Sequence, residues 1–173
     1  MQNAHLTFEA LVNAYSADLY RYAFWLCKDA QLAEDLVQES FMRAWRALDQ
    51  LDNPQAAKAW LIRILRRELS RHISKNSVEL LPLESVAESL ELMYEQPGIG
   101  AVESWTLQRA LKRLPEAYLE PLILQVLGGY SCDEIATLME ISPGAVMTRV
   151  CRARMQLREE LFHDADQTRR VKL

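Results

Sequence analysis

The sequence predicts an all-α protein made of two small helical domains joined by an acidic, flexible linker. Three observations carry this. Apolar residues recur at spacings of three and four almost everywhere, which is the helical period. Five glycines and six prolines in 173 residues leave few breaks. Charge is partitioned along the chain although the net value is only −4. Residues 1–53 hold 4 basic and 8 acidic groups, 54–76 hold 6 and 1, 77–104 hold 0 and 6, 105–142 hold 3 and 5, and 143–173 hold 7 and 4. Two basic segments thus flank a wholly acidic one. Affinity for a polyanion follows the local density of Lys and Arg rather than the total, so the pattern predicts two separate DNA contacts.

A first helix is expected from Leu6 to about Cys27 on the stripe Phe8, Leu11, Val12, Tyr15, Leu19, Tyr22, Ala23 and Leu26. Asp29 is placed to cap a second helix, expected to run to about Leu51. Its stripe is Ala33, Leu36, Val37, Ser40, Phe41, Ala44 and Leu48. Asn53-Pro54 opens a third helix, expected to reach about Ser74, because Asn caps well and proline fits a first helical turn. Residues 76–103 read as the linker, with Pro82, Pro97, Gly98 and Gly100 and a helical turn expected near Leu90 to Tyr94. A flexible chain of that length has an r.m.s. span of about 30 Å, close to the ~34 Å of one DNA turn. The second domain, 104–163, should hold a helix from about Ser104 to Leu114 and another from Pro115 to Leu127, ended by Gly128-Gly129. Ser131 with Glu134 three residues on makes a capping box, and Ser142-Pro143 opens the last helix. Residues 164–173 are expected to fray. The first domain is then 1–75.

The stretch Ser131 to Arg158 reads as a helix-turn-helix. On a wheel centred on Val146, the residues Val150, Ala153, Leu157 and Leu161 face the core. Thr148, Cys151, Arg152 and Met155 fall opposite, with Arg149 and Arg154 on the flanks. An arginine, a hydroxyl and small groups opposite a buried stripe suit a DNA major groove, the flanking charges holding phosphates. In the second helix Asp35, Gln38, Glu39 and Met42 share one polar side at spacings of three, four and seven. With Met42 there and Trp45 and Trp25 nearby, that side reads as a docking face for a large partner, since Met and aromatics are enriched at interfaces. The third helix carries Arg63, Arg66, Arg67 and Ser70 away from the stripe Trp60, Leu61, Ile64, Leu65 and Leu69, with Arg71 and Lys75 extending the charge. A phosphate-tracking surface with aromatics for unstacked bases is expected there.

Several function classes are excluded at this level. No run of 18 apolar residues is present, and the N-terminus lacks a basic region followed by an apolar block. Cys27, Cys132 and Cys151 are far apart, and His5, His72 and His163 are scattered. Reduced cytosolic thiols and no metal site are therefore expected. No nucleophile–base or redox constellation stands out, so neither an enzyme nor a cofactor is expected.

Three segments together resemble the extracytoplasmic-function (ECF, group IV) sigma factors of bacterial RNA polymerase. They are YRYAFWLCKDAQLAEDLVQESFMRAWR from Tyr20 to Arg46, AWLIRILRREL from Ala59 to Leu69, and the run from Ala110 to Leu161. A helix-turn-helix alone is a weak signal. The order D-L-V-Q-E, W-L-x-x-I, acidic spacer, L-P and then the G-x-x-x-x-R helix is specific. The resemblance implies a sigma region 2 three-helix unit and a sigma region 4 helix-turn-helix unit, working on core polymerase without chemistry of their own. It implies that Asp35, Gln38, Glu39 and Met42 grip the polymerase clamp helices. The loop Asp49 to Gln55 and the helix with Trp60, Arg63, Arg66, Arg67, Ser70 and Arg71 would then serve the −10 element. Thr148, Cys151 and Arg152 would reach −35 bases, and Arg149 and Arg154 the backbone. Control by an anti-sigma protein is implied as well. Met147 departs from the family, which often has Lys or Arg there. From the residues alone, a dimeric two-domain helix-turn-helix regulator with no polymerase partner stays open, as does a helical adaptor with no DNA role.

Overall fold

The computed structural model describes residues 2–76 and 101–171, all helices and short connections with no strand among them. The expected linker and its helical turn near Leu90 lie almost wholly outside these residues. The chain divides into two compact units, Met1–Met93 and Tyr94–Leu173.

In the first unit α1 spans Gln2–Cys27, α2 Ala30–Arg46 and α3 Ala57–Asn76. Lys28 stops α1 in a left-handed conformation (φ 59°), donating its N–H back to the Phe24 carbonyl at 2.7 Å. Asp29 follows in extended conformation and caps α2, its carboxylate accepting from the Leu32 N–H at 3.0 Å. A two-residue joint between the helices results. The second helix ends at Arg46, earlier than expected. The Ala47 N–H bonds to both the Arg43 and Ala44 carbonyls, and the chain tightens into a 3-10 turn at Leu48–Gln50. Asn53 accepts from the Gln55 N–H at 2.9 Å, so the predicted cap starts a 3-10 turn, Pro54–Ala56, that feeds α3.

Leu19, Phe24, Ala33, Leu61 and Leu65 are sealed at the centre of this unit. Ser40 is fully buried and donates its hydroxyl to the Leu36 carbonyl at 2.6 Å, so a small polar residue is satisfied where helices approach closely. Trp25 corrects the sequence reading. It is only 4% exposed, so it belongs to the core and does not flank a docking face. Burial also pushes the Cys27 thiol up to about 11 from 9.0, although the Asp29 carbonyl accepts its S–H at 3.2 Å. The folded state therefore favours the protonated thiol, and that contribution to stability is complete below about pH 9 and lost as pH climbs toward 11. At pH 8 the exposed Cys151 is expected to react with iodoacetamide well before Cys27. Equal rates in peptide mapping would contradict this placement.

In the second unit α4 spans Ala101–Arg113, α5 Glu116–Val126, α6 Cys132–Met139 and α7 Pro143–Val171. Leu119, Leu124, Ile135, Val146 and Ala153 are the sealed centre. After α5 the chain reverses at Gly129 (φ +71°), with the Gly129 N–H on the Gln125 carbonyl and the Tyr130 N–H on the Leu124 carbonyl. Gly128 is required for space rather than for φ. A Cβ there would collide with the Leu124 carbonyl oxygen and stand 2.6 Å from the Tyr130 ring. Gly128→Ala is accordingly expected to destabilise this unit by about 1–3 kcal/mol, the usual range for overpacking, measured by urea unfolding of the full chain.

Ser131 and Glu134 form the predicted capping box. Glu134 accepts from the Ser131 N–H at 2.8 Å, and this bond holds its carboxyl below the ordinary carboxylate range. The turn into α7 places Glu140 in the left-handed region (φ 57°), after which Ser142 Oγ accepts from the Ala145 N–H at 3.2 Å. Contrary to the expected fraying, α7 continues helical to Val171.

Candidate partner and nucleic-acid interfaces

Close packing of α1 and α3 on α2 leaves one side of α2 uncovered. Asp35, Gln38 and Met42 are exposed there and Glu39 is half-buried. Met42, 45% exposed, and Trp45, 38% exposed, give this side an apolar component. Trp45 packs edge-on against Phe8, with centroids 5.0 Å apart, which fixes its ring without burying it.

An ionic chain leads from this face to α3. Glu39 pairs with Arg43 at 3.1 Å, and Arg43 Nε lies 2.7 Å from Glu68 Oε1. The same Glu68 oxygen accepts from Arg71 Nη1 at 2.7 Å. Glu68 is 6% exposed and the only acid in the basic segment, which is the signal by which its role could have been sought in the sequence. A buried carboxylate needs charge partners, and two arginines supply them.

Along α3 the buried stripe is Leu61, Ile62, Leu65, Glu68 and Leu69, with Trp60 and Ile64 half-buried beside it. Arg63, Arg67 and Ser70 are exposed at spacings of four and three, so they form one row on the far side. Of the remaining predicted residues, Arg66 is half-buried and Arg71 is held by Glu68 while still largely exposed.

In the second unit Val146, Val150 and Ala153 bury against α5 and α6, and Leu157 and Leu161 are half-buried. Thr148, Cys151, Arg152, Arg154 and Met155 are exposed and Arg149 is half-buried. Two contacts with α5 were invisible in the sequence because 34 and 29 residues separate the partners. Arg152 Nη1 donates to the Tyr118 hydroxyl at 3.2 Å, and Arg154 Nη2 donates to Gln125 Oε1 at 2.8 Å. Thr148 donates its hydroxyl to the Gly144 carbonyl at 2.9 Å. No cluster of His, Cys, Asp or Glu among the described residues could hold a metal, and none of their helices is long and apolar enough to cross a membrane.

Residues 11–78 match the family model of sigma-70 region 2, and residues 104–157 match that of sigma-70 region 4. The chain is 30% identical to the ECF RNA polymerase sigma factor SigM of Bacillus subtilis, over 88% of this chain and 94% of that protein. The chain belongs to the ECF RNA polymerase sigma factors. It is likewise 33% identical to the ECF RNA polymerase sigma factor EcfG of Rhodopseudomonas palustris, over 84% and 80% of the two chains. Among solved structures, the sigma factor RpoE in complex with the anti-sigma factor NepR from Bartonella quintana superposes with a TM-score of 0.65. That chain is 27% identical, with 92% of this chain and 94% of that one covered. CnrH in complex with the cytosolic domain of CnrY gives 0.64 at 29% identity, covering 91% and 88%. As a sigma factor of this family, the protein is an initiation factor and not an enzyme. It binds core RNA polymerase and promoter DNA and directs promoter-specific transcription initiation.

Proposed function

We propose that three faces divide the work of this sigma factor. The side of α2 with Asp35, Gln38, Glu39 and Met42 docks on core polymerase. The helix α3, with Trp60, Arg63, Arg66, Arg67, Ser70 and Arg71, captures and opens the −10 element. On α7, Thr148, Cys151 and Arg152 face −35 bases while Arg149 and Arg154 hold the backbone. Supporting this most directly is a shared design, in which each unit carries an exposed arginine-bearing helix side opposite its own core. The division assumes boundaries at 1–75, 76–103, 104–163 and 164–173.

Each DNA patch alone is small. Docking on polymerase makes the second contact effectively intramolecular, which raises its occupancy without any new bond. The factor acts in the cytoplasm beside its polymerase, and an anti-sigma protein holds it there. The similar sigma factor RpoE, solved in complex with the anti-sigma factor NepR, supports that control.

The test is transcription in vitro with purified core polymerase, where promoter-specific initiation should depend on this chain. Gln38→Ala removes an exposed amide from the α2 face, so the fold should be unaffected. Its affinity for core polymerase is expected to drop about fivefold, the value of one net hydrogen bond of about 1 kcal/mol. Unchanged capture by Gln38→Ala and by Met42→Ala would move the docking site elsewhere.

A further inference from the structure

We propose that the α7 face reads the C5-methyl groups of thymines in the −35 element, through Met147, Thr148 and Cys151, with Met155 extending the strip. The inference rests on the reading of α7 as the −35 helix. It adds a base preference that an arginine reading guanine does not contain.

Met147 is 61% and Met155 56% exposed, and Cys151 lies between them at a spacing of four from each. On the helical wheel Thr148, Cys151 and Met155 sit opposite the buried stripe Val146, Val150 and Ala153, and Met147 continues the strip onto the flank beside Arg154, about 100° from Val146. The strip is therefore the part of α7 that meets whatever the helix binds. Arg149 and Arg154 stand on its two sides, and cations flanking an apolar centre match a groove floor between two phosphate strands.

Hydrogen-bonding capacity at the centre is partly committed elsewhere. The Thr148 hydroxyl gives its proton to the Gly144 carbonyl, so what it still offers a base edge is its methyl and an acceptor oxygen. One nitrogen of Arg152 is engaged by Tyr118 and one of Arg154 by Gln125. Thymine is the one standard base that presents an apolar group in the major groove, so a soft apolar strip there selects it over cytosine. From Met147 to Met155 the helix rises about 12 Å, the length of three to four base pairs at ~3.4 Å each. The strip can therefore meet more than one methyl, on either strand.

The full chain with core polymerase should first select its −35 sequence from a randomised promoter library. Enrichment of thymine at two or more −35 positions, counting both strands, is expected. Each enriched thymine is then replaced by deoxyuridine, which pairs identically and lacks only the methyl. Initiation should fall about fourfold per methyl removed, the fold-change for one buried methyl-sized group. In the double variant Met147→Ala and Met155→Ala, both sites exposed and harmless to the fold, the thymine-to-uracil ratio should move toward one. A library without thymine enrichment overturns the proposal, as does a promoter on which uracil equals thymine. A methyl effect of the same size in wild type and double variant also overturns it, because other residues or DNA shape would then be the reader. If −35 sequence is read but methyls are not, Arg152→Ala still alters promoter preference and only this inference fails. Should −35 sequence prove irrelevant and Arg152→Ala silent, the assignment of α7 fails as well.

Discussion

Glu68→Ala is expected to lower the stability of the first unit by about 3 kcal/mol, at the low end of the range for removing one partner of a buried ion pair. The carboxylate is 6% exposed and meets Arg43 and Arg71 at 2.7 Å each. Arg43 Nε is itself buried and makes a charge contact with Glu68 rather than an aligned hydrogen bond, so loss of the carboxylate leaves that nitrogen without compensation. Opposing this, the side chains of Arg43 and Arg71 are 41% and 58% exposed and can turn partly into water. That relief is why the low end applies. Glu68→Gln keeps the volume and one acceptor oxygen and should cost roughly half as much. Arg71→Ala leaves the Arg43–Glu68 pair intact and should cost under about 1 kcal/mol, as a mostly exposed ion pair does. Urea unfolding of the three variants checks the order. A Glu68→Ala midpoint equal to wild type would show that the network carries no stability. The same variants bear on function, because this chain of charges runs from Glu39 on the α2 side to Arg71 on the α3 side.

Much of the fold was legible because local rules and tertiary packing agree in most elements. The Asp29, Asn53, Ser131 and Ser142 caps are set by residues within three positions, and each forms as expected. The buried stripe of α7 follows from its period alone. Failures occur where packing overrides period. Tyr22, Ala23, Phe24 and Trp25 are all buried, since α1 contacts both α2 and α3 and is covered on more than one side. A single-stripe reading therefore keeps Tyr22 and Ala23 and passes over Phe24 and Trp25. The end of α2 is marked by the 3-10 turn Leu48–Gln50, which has no buried residue and which no side-chain cap announces. Among candidate interface residues, the alternation of charge found the Arg63 and Arg67 row. It could not separate these from Arg71, whose tie to Glu68 depends on helix phase and burial together. The α5 partners of Arg152 and Arg154 are long-range contacts with no local signature.

Arg152→Ala is the other change expected to have a large effect, weakening initiation at the preferred −35 sequence by about 1–3 kcal/mol, or roughly 5- to 150-fold. The guanidinium is exposed on the far side of α7 from the core, so truncation should leave stability within about 0.5 kcal/mol of wild type. Loss of function would then report contact with DNA. Tyr118 positions this arginine through its hydroxyl, 3.2 Å from Nη1. Tyr118→Phe deletes only that acceptor and is expected to cost about 0.5–1 kcal/mol at the same promoter. In the Arg152→Ala background the tyrosine change should be silent, which a double-mutant cycle measures directly. Arg149 offers the contrast. With the backbone role proposed for it, its replacement by alanine should weaken all promoters alike and reduce the salt dependence of binding by about one ion. If Arg152→Ala also lowered every −35 sequence equally, Arg152 would be a phosphate ligand, and base selection on α7 would rest on its uncharged residues.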